Sequence, residues 1–164
     1  MEKLLDRLIT VIGDEARLFE EFLEALERQQ KALIGNDTKE LNKITAELQM
    51  IVGRSQRLEN ERSQVVEDIR REGGAGEDVN ITEICDMADS ARSVQLKNLR
   101  ETILGLYDHI EETRMRNGLL VDQSLEQIHH TLETIGRIPA QKETYQKHGS
   151  VPREYAPLGI DRRI

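Results

Sequence analysis

The feature that most constrains this chain is a repeat of apolar residues with helical spacing through stretches that contain no proline. The first proline of the 164 residues is Pro139. In residues 2–34 the apolar positions recur every seven residues, with a second series between them: Leu5, Ile12, Phe19, Leu26 and Leu33, then Leu8 and Phe22. Glu15 and Gln29 interrupt this series. Such heptad spacing predicts a long amphipathic helix that packs along another helix.

A second helix follows after a short connection. Gly35 occupies a position where the end of a helix favours positive φ, and Asp37 with Glu40 forms a capping box for the next helix. A connection this short predicts that the two helices lie antiparallel. The second helix, about residues 38–71, repeats the seven-residue spacing, interrupted by Ser55 and Arg62: Leu41, Ile44, Leu48, Ile51, Leu58, Val65 and Ile69. The glycine-rich "EGGAG" at 72–76 ends it.

The third helical region begins with a weaker segment. Asn80 with Glu83 offers another capping box, and a bend is predicted within residues 89–93. The apolar series is regular from Leu96 to Ile110 and resumes one position late after Asn117-Gly118: Val121, Leu125, Ile128, Leu132 and Ile135. Asn-Gly favours a hairpin turn, but helical spacing continues on both sides of it. The sequence therefore predicts one long helix.

The chain is predicted to be all-α: an elongated antiparallel bundle or coiled coil of about three long helices plus a shorter helical segment. Residues 1–136 form the helical domain. Residues 137–164 hold all three prolines and show no sustained period, so they are predicted to be a flexible C-terminal tail. This tail nevertheless contains Tyr145 and Tyr155, although the chain has only five aromatic residues.

Charge and composition limit the possible partners. The formal net charge is −8, and residues 137–164 carry six basic and three acidic side chains, so the preceding residues carry −11. An acidic body repels phosphates, which excludes a nucleic-acid binder. Charged residues interrupt the N-terminal apolar positions, and no apolar run approaches the roughly 20 residues of a membrane span. With Cys85 as its single cysteine the chain forms no intrachain disulfide, and a cytosolic protein is predicted.

Catalytic and metal-binding chemistry is not supported by the motifs present. Glu126-x-x-His129 has the spacing of a di-iron ligand pair, but such a site needs a second pair, which the sequence lacks. His129 and His130 are expected on a solvated face instead. "GGAG" lacks the Gly-Lys-Ser/Thr of a phosphate loop. No catalytic residue, cofactor or metal ligand is predicted, and the chain is not expected to be an enzyme.

Three stretches resemble one family. "LEALERQQKALIGNDTKELNKITAEL" (23–48) is similar to the glutamine- and leucine-rich turn region of the FlgN family of flagellar type III export chaperones. "RNGLLVDQSLEQIHHTLETI" (116–135) resembles the Asn-Gly signature of that family and the amphipathic helix after it. "TYQKHG" (144–149) is similar to the tyrosine-to-glycine element that follows. The last two features carry the resemblance, because heptad helices are similar to one another in general.

This resemblance implies a cytosolic chaperone that binds the hook-filament junction proteins FlgK and FlgL and delivers them to the export gate protein FlhA. The implied partner-binding residues lie in the C-terminal helix and the segment after it: Asn117, Gly118, Leu119, Leu120, Leu125, Ile128, Leu132, Ile135 and Tyr145. Asn117-Gly118 would then be a small, packable point where a neighbouring helix or the client approaches closely. The alternative is that Gly118 only tolerates a kink.

A second class of function remains open. The same apolar stripes suit a structural coiled-coil adaptor or a self-associating helical bundle that has no client. In that case homodimerisation would cover the stripes. The chaperone reading also allows a homodimer when the protein is free of cargo.

Overall fold

The computed structural model describes residues 1–74 and 81–137 and contains four helices in this part of the chain: α1 (Glu2–Ile34), α2 (Thr38–Gly73), α3 (Ile81–Met87) and α4 (Ser90–Arg137). No strand occurs in these two ranges. The prediction of three long helices and one shorter helix is confirmed. The predicted flexible tail, apart from Arg137 at the end of α4, lies outside the described residues, as does Tyr145.

The turn between α1 and α2 confirms one predicted cap and corrects another. Asp37 Oδ1 accepts a hydrogen bond from the backbone N–H of Glu40 at 3.0 Å, as the capping box requires. The positive φ expected at Gly35 was wrong, because Gly35 has φ −82° and Asn36 has φ +50°. Asparagine tolerates this left-handed conformation better than most residues, so the turn completes one position later. The Asp37 N–H then reaches the Ala32 carbonyl oxygen at 2.9 Å.

The other helix ends follow from similar local chemistry. Helix α2 ends at Gly73, two residues beyond the end predicted at about 71, and Gly74 caps it with φ +65°. The predicted bend lies at residues 88–89, between α3 and α4. Asp89 Oδ1 accepts from the N–H groups of Ala91 at 3.0 Å and Arg92 at 3.1 Å, and thereby caps α4. The capping residue predicted for α3, Asn80, lies outside the described residues.

Helix α1 is the central element of the fold. Helices α2 and α4 both pack along α1 but make almost no contact with each other. Near one end of α1 the buried cluster draws on all four helices: Leu5, Leu8, Ile12, Val65, Ile69, Ile84, Cys85 and Leu96. Near the other end of α1 a second buried cluster joins α1 to α2: Leu18, Ala25, Ala32, Ile44 and Ile51. Cys85 is buried, as a small apolar residue would be.

Helix α4 runs parallel to α1 and extends past its end. Arg92 bonds Asp6 near the start of α1, and Asn117 bonds Gln29 near its end. Only five residues of α1 follow Gln29, so α4 passes the end of α1 a few residues beyond Asn117. At 1.5 Å per residue the last 14 or so residues of α4 project by about 20 Å. Every residue from 125 to 136 is exposed.

Candidate partner-binding surface

The projecting end of α4 carries a row of apolar side chains, here called the α4 stripe: Leu125, Ile128, Leu132 and Ile135. Their exposed fractions are 54%, 55%, 61% and 59%. Spacings of three and four residues place all four on one face of the helix. Neither α1 nor α2 reaches this face, since the stripe lies beyond the turn that joins them. A row of large aliphatic side chains left in water is typical of a surface that a partner covers.

The other residues predicted from the C-terminal helix have different environments. Leu119 is exposed and Leu120 is half-buried. Gly118 is exposed, and a Cβ added there would meet no other part of the chain within 4 Å. No neighbouring helix in the described chain therefore approaches Gly118 closely. Close approach by a client at this glycine stays a prediction.

Asn117, in contrast, faces α1 and is only 4% exposed. Its Nδ2 donates to the Leu26 carbonyl oxygen and to Gln29 Oε1, both at 2.9 Å. The close approach predicted at Asn117-Gly118 therefore occurs between Asn117 and α1. The helix continues through both residues, so this Asn-Gly is not a turn.

Acidic side chains lie on α4 beside the stripe, at Asp122, and toward its opposite face, at Glu126. Asp122 and Glu126 are exposed on α4, and neither has an ion-pair or hydrogen-bond partner in the part of the chain that the structure describes. His129, His130 and Glu133 are also exposed. No group of three potential metal ligands occurs in residues 1–74 or 81–137.

A second apolar surface lies between α2 and α4, above α1, and is here called the α2–α4 groove. One part has a volume of about 390 Å³ and the next about 240 Å³. Phe19 of α1 lines both parts. The second part is lined almost entirely by apolar and aromatic side chains: Leu18, Phe19, Phe22, Ile51, Val52, Tyr107 and Ile110, with Ser55 and Gln56. The groove residues Val52, Leu104 and Tyr107 were not predicted from the sequence, because they are apolar residues that lie off the heptad series.

Ion pairs join the helices around these surfaces. Within the groove, Arg62 Nε donates to Glu15 Oε1 at 3.0 Å, so two residues that interrupt the apolar series pair with each other. Arg54 bonds Glu21 at 2.6 and 3.2 Å, and this bond lowers the pKa of Glu21. These pairs position α2 on α1 and leave the projecting end of α4 uninvolved.

The fold defines an elongated all-α protein whose longest helix presents an apolar stripe beyond the bundle. The model of the FlgN protein family matches residues 1–153, and the chain belongs to the FlgN family. No curated protein and no solved structure matches it. FlgN proteins are chaperones of flagellum biogenesis and form no enzyme family, so the family indicates a flagellar export chaperone in general terms. Among the described helices, none has the length and apolar character needed to cross a membrane.

Proposed function

We propose that this protein is a cytoplasmic type III export chaperone for the hook-filament junction proteins FlgK and FlgL. Family membership supports the general role. The observation that carries the specific mechanism is the α4 stripe, which is half or more exposed beyond the ends of α1 and α2. An exposed amphipathic helix suits a client that is itself helical and aggregation-prone before export.

The stripe holds the client by burial of apolar surface. An amphipathic helix of the client lays its apolar face on Leu125, Ile128, Leu132 and Ile135, in the helix-to-helix mode of peptide recognition. Burial contributes about 25 cal/mol per Å² of apolar surface, and part of this offsets the loss of freedom on association. The same burial keeps the client helix from associating with other copies of itself.

The remaining predicted residues have complementary roles in this proposal. Leu120 extends the contact toward the bundle, and Gly118 lets the client backbone approach α4. Leu119 lies on the face of α4 opposite the stripe, and its contact with the client stays a prediction. Asn117 acts through its bonds to α1, which fix how far the stripe projects. Asp122, beside the stripe, favours a client helix with basic side chains beside its apolar face.

Substitutions in the stripe test the proposal. Leu125→Asp and Ile128→Asp are expected to weaken co-purification of FlgK and FlgL by at least about tenfold, with little change in helix content, since both side chains are exposed. His130→Asp is the matched control, because it adds a carboxylate to the opposite face of the same helix. The proposal fails if both stripe variants bind the clients as well as His130→Asp does. It also fails if they unfold the protein, because the stripe would then be core.

Delivery to the export gate is the second part of the proposal. The family match includes residue 145, and we propose that Tyr145 contacts the gate protein FlhA. Tyrosine buries a large ring at low entropic cost and keeps one hydroxyl for a specific hydrogen bond. Tyr145→Ala should leave folding and client binding intact. It should lower the affinity of the client complex for the soluble part of FlhA, as measured by titration. Equal affinity of both proteins for FlhA would remove Tyr145 from the mechanism.

A structural adaptor is the competing function, because a second copy would also cover the stripe. Sedimentation equilibrium of the protein alone and with FlgK separates the two. The chaperone forms a one-to-one complex with FlgK and any free dimer dissociates. The adaptor remains a tight dimer that binds no client, and its stability rises with concentration.

A further inference from the structure

The arrangement of the three long helices is that of a four-helix bundle with one position empty. In such a bundle each helix contacts two neighbours, and the helices on a diagonal do not touch. Helix α1 contacts α2 and α4, which make almost no contact with each other. Helices α2 and α4 therefore occupy the diagonal, and the α2–α4 groove marks the fourth position.

We propose that one amphipathic helix of the client occupies the α2–α4 groove and continues onto the α4 stripe, so that the two surfaces form one binding track. This inference rests on the proposed chaperone function. It goes further by assigning a second binding surface, within the bundle, to residues that the family resemblance did not implicate.

The groove has the chemistry of a site for an apolar helix face. Val52 and Tyr107 are 49% and 57% exposed on its two walls, and Phe19 and Phe22 line it from α1. Glu15 and Arg62 bond each other within it, so neither charge requires a counter-charge from the occupant. Glu59 and Arg100 also line the first part of the groove, while the second part carries no charged side chain. Apolar walls bordered by charged side chains of both signs fit an amphipathic helix.

The groove and the stripe lie along the same face of α4. Gly118 follows Tyr107 by eleven residues and precedes Leu125 by seven, and both spacings are close to whole numbers of helical turns. Because glycine has no side chain, position 118 does not obstruct the path between the groove and the stripe. Arg114 also lies along this path, and its guanidinium bonds Glu111 at 3.0 Å. From Tyr107 to Ile135 the track measures about 42 Å at 1.5 Å per residue.

The charge of the track selects a client over a second copy of this chain. Asp122 lies beside the track and has no partner in the described ranges, so the track favours an occupant with lysine or arginine beside its apolar face. A second copy whose α4 stripe packed here in parallel would bring its own Asp122 to this position. Like charges would then face each other, which is unfavourable.

Photo-crosslinking tests which chain enters the groove. A photoreactive benzoylphenylalanine at position 52 or 107 of the full-length chain, in complex with full-length FlgK, should crosslink to one FlgK helix. The same group at Met50 is the control, because Met50 is exposed on α2 and does not line the groove. The proposal is overturned if positions 52 and 107 crosslink to a second copy or to residues 138–164 of the same chain. It is also overturned if they give no crosslink.

Two substitutions provide an independent measurement by titration with FlgK. Ser55→Trp fills the groove, and Val52→Lys places a charge in the apolar wall that the client helix would cover; the control is Met50→Lys. We expect each groove variant to bind FlgK about tenfold more weakly than its parent, with the residual affinity supplied by the stripe. Urea unfolding checks the fold of both, and Val52→Lys changes an exposed side chain. If both bind normally while Leu125→Asp does not, the groove is unused and the chaperone function stands. If Leu125→Asp also binds normally, the proposed function itself fails.

Discussion

Asn117 Nδ2 lies 2.9 Å from Gln29 Oε1, so a buried amide bonds a half-buried one and joins α4 to α1. Gln29 is one of the two residues that interrupt the apolar series of α1, and the same Nδ2 also donates to the Leu26 carbonyl oxygen at 2.9 Å. A polar pair inside an apolar seam fixes the register of two helices, because any slip leaves its groups buried without partners. The pair therefore sets how far the α4 stripe projects.

Substitution of Asn117 should reveal this role through stability. Asn117→Ala loses both hydrogen bonds to α1, at an expected cost of about 1–2 kcal/mol in the free energy of unfolding. Asn117→Asp should cost more, about 3 kcal/mol, because it places a carboxylate against two acceptor oxygens. Urea unfolding of both variants measures the difference. A smaller cost for Asn117→Asp than for Asn117→Ala would show that no acceptor faces that side chain.

Gly118 is expected to behave in the opposite way to its neighbour. It lies within α4, and an added Cβ would meet no other part of the chain within 4 Å. Gly118→Ala should therefore raise the free energy of unfolding by about 0.5–1 kcal/mol, since alanine loses less backbone entropy in a helix. Thermal unfolding monitored by circular dichroism checks this. No gain, or a loss, would mean that the helix needs glycine at 118 for its own geometry.

The ion pair between Glu15 and Arg62 is the other polar contact in the apolar seams. Glu15 is 13% exposed and depends on Arg62, at 3.0 Å, as its partner. Arg62→Met should cost about 1–3 kcal/mol, because it leaves a largely buried carboxylate unpaired. The double variant Glu15→Leu, Arg62→Leu should recover to within about 1 kcal/mol of the parent. If urea unfolding shows that the losses in free energy of unfolding from changing Glu15 and from changing Arg62 simply add, the two residues do not depend on each other.

The helices and most of their buried residues could be predicted from the sequence, because heptad spacing and capping are local signals. The two polar pairs could not, since Gln29 and Asn117, like Glu15 and Arg62, are joined only by tertiary packing. The buried positions Ala25 and Ala32 were also missed. An alanine is weakly apolar, and only the central place of α1, packed on two sides, explains their burial.

The candidate binding surface also has one part that could be predicted from the sequence and one part that could not. The α4 stripe follows from helical spacing at the end of the chain's longest periodic segment, so its residues could be identified in advance. Its exposure depends on α4 running beyond α1, which follows from the contacts at Asp6 and Gln29. The α2–α4 groove depends on α2 and α4 remaining apart, and no pattern within a single helix specifies that separation.

The last prediction concerns acid sensitivity at the start of the bundle. Arg92 donates to Asp6 Oδ1 at 2.6 Å and Asp6 Oδ2 at 3.1 Å, and it also bonds Asp89. These hydrogen bonds from Arg92 lower the pKa of Asp6 and of Asp89 below the ordinary value for an aspartate. Groups whose pKa is lowered by folding stabilise the protein above their unfolded pKa, about 3.9, and lose that contribution as the pH falls through the lowered folded values.

Arg92→Gln should therefore reduce stability at neutral pH and make the remaining stability less dependent on acid. Solvent screening keeps the effect small, because Asp6 and Asp89 are exposed. Urea unfolding at neutral pH and at about pH 3 measures the loss on acidification in each protein. Lys97→Gln is the matched control, since Lys97 is an exposed cation on α4 with no partner in the described ranges. The pairs Glu21–Arg54 and Glu67–Arg70 retain their own acid sensitivity in both variants. An equal loss on acidification in the parent and Arg92→Gln would show that the Arg92 bonds do not contribute to folding stability.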